Sequence, residues 1–305
     1  MTAAIAARGL GKRYGRRWAL ADCTVAIPAG RVTGLVGPNG AGKTTLLNLA
    51  TGMLRPTAGS IQVLGSTPAS GPDQLRKVGY VAQDTPLIAA LSVGDHLRLG
   101  ARMNAGWDGG LANSRIGHLH LDRSQKAGSL SGGQRAQLAL TMAIAKRPEL
   151  LILDEPVASL DPLARNEFLR TLAETTAERA MSVVLSSHLV SDLERVCDYL
   201  IVLVDSRVQV ADTVENLLAT HFLLTSADPG ADAWPGAPGA GQPDGEVIST
   251  SRSLGQTTTL VCAVAPVIDP ARAVSRASLE DLVLGYMSRS RPAAGPERAA
   301  QEATR

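Results

Sequence analysis

This chain is short of several things. Aromatic residues make up 3% of its 305 positions, with two phenylalanines, four tyrosines and three tryptophans. That is too few for the stacked-ring platforms that hold single-stranded nucleic acid. Charge is nearly balanced: 30 Lys and Arg against 28 Asp and Glu leave a formal net charge of +2, so there is no electrostatic case for a nucleic-acid partner. Cysteine is scarce, and Cys23, Cys197 and Cys262 lie far apart. Their number and spacing exclude a disulfide framework or a cysteine zinc site and suit reduced thiols. Long apolar runs are also missing. The longest, around 150–153 and 199–204, have strand length, against the roughly 20 residues of a membrane span. Met1-Thr2-Ala3-Ala4-Ile5 shows no basic segment leading into a long apolar core, so no signal peptide is expected. His118-Leu119-His120 has no cysteine or carboxylate cluster around it and reads as a solvated loop pair rather than a metal site. What remains is a globular composition, 45% hydrophobic and 19% charged, in a chain long enough for about two domains.

The most informative stretch is Gly37-Pro38-Asn39-Gly40-Ala41-Gly42-Lys43-Thr44-Thr45. It follows an apolar run over 32–36 and opens into Leu46-Leu47-Asn48-Leu49, which reads as helix. This is the pattern G-x-x-x-x-G-K-[ST] in the setting it needs, strand then loop then helix. Its glycines let several backbone N–H groups converge on one anion, and the new helix points its positive end at the same place. Lys43 adds a full charge for the β- and γ-phosphates of a nucleotide, and the Thr44 hydroxyl suits Mg²⁺. A chance match in a chain this long is on the order of one in a hundred.

Taken in order, residues 5–10, 23–27 and 32–36 read as strands, with Pro28-Ala29-Gly30 a turn between the last two. Tyr14, after Lys12-Arg13, reads equally well as a strand-end aromatic or as a ring that stacks on a nucleobase. The helix at 43–51 stops at Gly52. Residues 60–64 and 78–82 read as strands, the second ended by Gln83-Asp84-Thr85-Pro86. Ser92-Val93-Gly94-Asp95 resembles a capping box that starts a helix toward Met103. The Gly- and Asn-rich residues 104–118 read as loop, inside a helical insertion of about 86–130.

Leu130-Ser131-Gly132-Gly133-Gln134 leads into an Ala- and Leu-rich helix over 135–146. A serine and two glycines at a helix start form either a plain N-cap or a second anion site. Next, Leu150-Leu151-Ile152-Leu153-Asp154-Glu155 reads as a buried parallel strand with two carboxylates at its carboxyl end, where ligands sit in such sheets. Asp154 there suits Mg²⁺, and Glu155 is placed to polarise a water. Ser159-Leu160-Asp161 follows, and Pro162 opens a long helix to Arg179. Residues 181–187 read as a strand with His188 at its end, 189–197 as helix, 199–204 and 208–211 as strands, and 214–220 as helix. The alternation predicts an α/β class with a mixed, mostly parallel sheet. Beyond 221, residues 228–245 are Pro- and Gly-rich and read as a linker, 257–264 as a strand, 278–287 as a capped amphipathic helix, and 289–305 as a disordered tail.

These motifs together closely resemble the ATP-binding subunits of ABC transporters over about 3–221, with every family motif in order. The resemblance implies a P-loop NTPase cassette in 1–221 and a C-terminal extension in 222–305. It implies that Tyr14 stacks on adenine and that Gly37 to Thr45 are Walker A. Gln83 resembles the glutamine that contacts Mg²⁺ or water and senses the membrane subunit. Residues 130–134 are the signature LSGGQ unchanged, 150–155 resemble Walker B with Glu155 as catalytic carboxylate, Asp161 matches the D-loop aspartate and His188 the switch histidine. A head-to-tail pair is implied, in which Ser131, Gly132, Gly133 and Gln134 of one chain meet ATP held by the other. Two ATP molecules close the pair, hydrolysis opens it, and integral membrane permease subunits receive the motion on the inner face of the membrane. The partner cassette is identical or a sibling. The short, Gly-rich 104–118 stretch and Val157-Ala158 before Ser159 depart from the family pattern. The 278–287 tail suggests a bacterial exporter-type subunit. The rival readings are a soluble ABC ATPase uncoupled from transport, which usually carries two cassettes or a long coiled-coil insertion, and a regulatory module that holds ATP without hydrolysing it.

Overall fold

Short apolar stretches without polar alternation need burial on both faces, and here they form the main sheet of the first unit. The computed structural model describes residues 2–85, 87–178, 181–226, 245–253, 256–264, 267 and 272–289. The chain divides into two compact units, Met1–Val214 and Glu215–Arg305.

The first unit runs β1 (Ala3–Tyr14), β2 (Arg17–Pro28), β3 (Val32–Val36), α1 (Lys43–Ala50), β4 (Ala58–Val63), α2 (Pro72–Lys77), β5 (Val78–Val81), α3 (Val93–Met103), α4 (Gly109–His118), α5 (Gly132–Ala145), β6 (Leu150–Asp154), α6 (Pro162–Glu178), β7 (Ser182–Ser187), α7 (Val190–Glu194), β8 (Tyr199–Val204) and β9 (Arg207–Thr213). Six strands form one sheet in the order β5-β6-β7-β3-β8-β9. All neighbours are parallel except β8 and β9, so the sheet is mixed and mostly parallel, as the alternation predicts. A second sheet, β2-β1-β4, is antiparallel. Leu10, Leu20, Leu46, Leu47, Ile152 and Ile201 belong to one buried core that joins both sheets to α1. The phosphate-loop pattern, the Asp154-Glu155 pair and His188 all fall at the carboxyl ends of neighbouring strands β3, β6 and β7.

One element corrects the sequence reading. Residues 104–118 read as loop, yet Gly109–His118 is helix α4. Its three glycines weaken it by about 1 kcal/mol each relative to alanine. Tertiary contacts override that: Ala112 and Ile116 are buried in a core shared with Val93, Leu97 and Leu138. The Asp108 carboxylate caps the helix by accepting from the Leu111 amide at 2.8 Å. Smaller differences are the unread helix α2, whose start is Pro72 at N1, strands β1 and β2 that run longer than 5–10 and 23–27, and a helix α7 confined to Val190–Glu194. The helix at 93–103 begins as read, with Ser92 and Asp95 closing a reciprocal capping box.

The second unit contains α8 (Val214–Thr220), which starts at the boundary, then β10 (His221–Ser226), β11 (Gly245–Ser253), β12 (Gln256–Ala263), β13 (Ala273–Arg276) and α9 (Leu279–Ser288). Its four strands make an antiparallel sheet in the order β11-β12-β10-β13. Only β12 was legible as a strand. Ser278 and Asp281 close a capping box at the start of α9, and Tyr286 on α9 meets the buried His221 ring nitrogen Nε2 at 3.0 Å. Gly245, read as the last linker residue, instead opens β11. The remainder of the predicted linker and of the tail past Arg289 lies outside the described residues. Among the described residues no helix is long and apolar enough to cross a membrane.

Candidate functional site

The loop after β3 is built on glycines that cannot be replaced without moving the backbone. A Cβ on Gly37 would stand 2.0 Å from the Leu203 carbonyl oxygen of β8. Gly42 has φ 108°, and a Cβ there would meet the Ala19 carbonyl oxygen at 2.4 Å. Gly42 is also the N-cap of α1 and offers no side-chain cap, so the first amides of α1 have no side-chain acceptor at the cap and remain donors to an anion. Lys43 opens α1 and is 5% exposed. Its ammonium donates to the Gly37 carbonyl at 2.8 Å and the Pro38 carbonyl at 3.4 Å.

Two carboxylates stand opposite. Asp154, at the end of β6, is 1% exposed. Its Oδ1 accepts from the Ser186 hydroxyl at 2.8 Å, and the Ser186 oxygen in turn accepts from the Glu155 amide at 2.8 Å. Burial pushes the Asp154 carboxyl above the usual carboxylate range, opposed by the Ser186 and Thr44 hydroxyls and by Lys43. Asp154 Oδ2 is buried with no hydrogen-bond partner among the described residues. Glu155 collects three groups from distant segments: Lys43 Nζ at 3.3 Å, Gln83 Nε2 at 3.4 Å and His188 Nδ1 at 3.6 Å. Its backbone sits at φ 45°, a left-handed conformation uncommon outside glycine.

A cleft of about 690 Å³ results, lined by Tyr14, Asn39, Gly40, Gly42, Lys43, Thr44, Thr45, Gln83, Glu155 and His188 among the residues singled out from sequence. Gly37, Pro38 and Ala41 complete the loop, and the buried Asp154 is not among the residues lining the cleft. Tyr14 ends β1, and its half-exposed ring borders the cleft with the Lys12 ammonium 5.5 Å from the ring centroid. Two residues were missed. Arg17 lines the cleft, and only its neighbourhood with Tyr14 hints at that. Ser186 holds Asp154 and the Glu155 amide; as one of three serines in β7 it carries no signal of its own in the sequence.

The Ser131 segment is not in this cleft. Ser131 caps α5, its hydroxyl accepting from the Gln134 amide at 3.2 Å while Gln134 Oε1 accepts from the Ser131 amide at 2.9 Å. A Cβ on Gly133 would stand 2.8 Å from the Ala164 Cβ, so the start of α5 packs closely on the start of α6. Asp161 caps α6 by accepting from the Leu163 and Ala164 amides at 3.0 Å. The start of α5 thus has the geometry of a reciprocal N-cap and stands apart from the cleft.

Comparison with known proteins follows the same lines. A family model described as ABC transporter matches residues 20–158. The chain is 34% identical over 234 residues to the Fe(3+) ions import ATP-binding protein FbpC 1 of Rhodococcus jostii, covering 75% of this chain and 67% of that protein. It is 32% identical over 201 residues to the thiamine import ATP-binding protein ThiQ of Salmonella typhimurium, covering 64% of this chain and 86% of that one. Against a second iron-import protein of Rhodococcus jostii the chain spans 56% of the relative's length. Among solved structures, an ATP binding subunit of an ABC transporter superposes with a TM-score of 0.63 at 28% identity, covering 71% of this chain and 92% of that chain.

Proposed function

Because this chain belongs to the ABC transporter family, as an ATP-binding cassette ATPase with the P-loop fold, we propose that its cleft hydrolyses ATP with the residues gathered on Glu155 and that the chemistry drives a membrane transporter. The convergence of Lys43, Gln83 and His188 on one carboxylate beside the phosphate loop carries this reading. Tyr14 stacks on the adenine. Residues 37–45 hold the phosphates with backbone amides, Lys43 and the α1 N-terminus. Glu155 takes the role of orienting and polarising the attacking water, and His188 steadies it at Nδ1.

The residues present fit Mg²⁺. Asp154 Oδ2 is a buried oxygen with no hydrogen-bond partner among the described residues, and the Thr44 hydroxyl bears on the same carboxyl, an all-oxygen set of the kind magnesium prefers. Asp154, Thr44 and Gln83 would hold it. When bound it neutralises charge on the phosphates. Burial works against the Asp154 carboxylate, so a cation there removes a cost the fold otherwise carries.

The start of α5 would gain an anion to hold if two chains met head to tail. Ser131, Gly132, Gly133 and Gln134 would then close over ATP held by the partner's residues 37–45, with Asp161 beside them, and ATP would pull the pair together. The partner would be a cassette of the same kind, identical or sibling. Integral membrane permease chains would receive the motion through the surface around Gln83, placing this subunit on the inner face of the membrane. Replacing Ser131 by Arg is expected to leave ATP binding by residues 37–45 intact while cutting hydrolysis by about tenfold or more and abolishing ATP-dependent dimers on size exclusion. A variant that still dimerises and turns over at the wild-type rate would remove the signature from the composite site.

Direction is a finer matter. Export rests on the 278–287 tail alone, whereas FbpC 1 and ThiQ are named for import, which supports uptake. ATP-dependent accumulation of cargo in inside-out vesicles carrying the transporter would support export, and accumulation in right-side-out vesicles would overturn it.

A further inference from the structure

Behind His188 lies a buried carboxylate that the proposed chemistry leaves unused. Asp192 belongs to the short helix α7 and is 4% exposed. The Ser187 hydroxyl donates to its Oδ2 at 3.1 Å, and the Ser187 oxygen accepts from the Leu189 amide at 3.0 Å. Of the chain neighbours of His188, Ser187 is thus bonded to Asp192 directly and Leu189 only through the Ser187 oxygen. On the far side stands Arg165 of α6, with Nε 4.0 Å from Asp192 Oδ1. Its Nη2 donates to the Val157 carbonyl at 3.4 Å, two residues beyond Glu155. Nε itself is buried and makes no hydrogen bond among the described residues. The contacts close a ring: Glu155 and its following loop, Arg165, Asp192, Ser187, His188, and back to Glu155.

A charge that deep is costly unless it is paired and hydrogen-bonded, and five-residue α7 could have kept a carboxylate in water. The partners Asp192 does have are those that fix the two loops meeting at the active carboxylate. We infer that Arg165 and Asp192 are a positioning pair: they set the separation of His188 from Glu155 and so the rate of the hydrolytic step, without touching nucleotide. The inference rests on the roles proposed above for Glu155 and His188.

The test is ATPase kinetics on the full chain. Asp192→Asn is expected to lower kcat about tenfold, the size of one lost charge-assisted contact acting on the transition state, with KM for ATP held within about twofold because no nucleotide contact is lost. Ser187→Ala, which removes only the bridging hydroxyl and keeps the fold if Asp192→Asn does not, should show the same split. In a His188→Ala background Asp192→Asn should add no further loss, since the pair acts through that ring. Wild-type kcat in both single variants, with His188→Ala impaired, overturns the positioning role and leaves the His188 reading standing. Equal losses with and without His188 reduce the pair to scaffolding and overturn it too. Wild-type turnover in His188→Ala sinks the His188 reading and with it the proposed route of action.

Discussion

Glu155→Gln should bind ATP as the wild type does and lose turnover by about 10²-fold or more, the usual scale for removing a group that handles charge in the transition state. The substitution is nearly isosteric, so the left-handed backbone and the packing of an 11% exposed side chain are kept. Lys43 and Gln83 hold the two different oxygens of Glu155, at 3.3 Å and 3.4 Å, so the single amide oxygen of Gln can keep one of these two donors. What disappears is the negative charge and the capacity to draw a proton from water. Phosphate release under saturating ATP, paired with equilibrium ATP binding, reads the two quantities separately. Wild-type phosphate release would remove Glu155 from the chemistry, and lost binding would recast it as a structural partner of Lys43.

A comparably large effect is expected at Lys43, but on binding. Lys43→Ala should weaken ATP by about 10²-fold or abolish measurable turnover, because one buried cation facing a polyphosphate in a partly desolvated site is worth far more than an exposed one. The same ammonium spans the Gly37 and Pro38 carbonyls and Glu155, so its loss also leaves a carboxylate and two loop carbonyls to find new partners. Isothermal titration with ATP, checked by a thermal melt, separates lost affinity from lost fold. A folded variant with unchanged affinity would overturn the phosphate-cradle assignment.

How much of this was readable beforehand depended on how local the signal was. The phosphate loop, the β6 carboxylates and the capping boxes at Ser92 and Ser278 are each made by consecutive residues, and each forms the element read from them. Helix α4 was not readable, because its glycines argue for loop and only burial of Ala112 and Ile116 against a distant core reverses that. Strands β10, β11 and β13 are short or polar, and antiparallel pairing across long gaps, such as Phe222 with Arg276, leaves no periodicity to find. The approach of Gln83 to Glu155 spans 72 residues; family resemblance gave Gln83 and His188 roles at the nucleotide, but neither it nor spacing placed them on Glu155. Ser186, Arg165 and Asp192 passed unnoticed because each looks ordinary alone and matters only through partners elsewhere in the chain.

The φ of 45° at Glu155 has a consequence for how this position can change. A left-handed conformation costs a non-glycine residue about 1–2 kcal/mol. Glycine would relax that strain and would erase the carboxylate in the same step. Thermal robustness and chemistry therefore pull residue 155 in opposite directions, and a screen for sturdier variants would drift toward an inactive protein here.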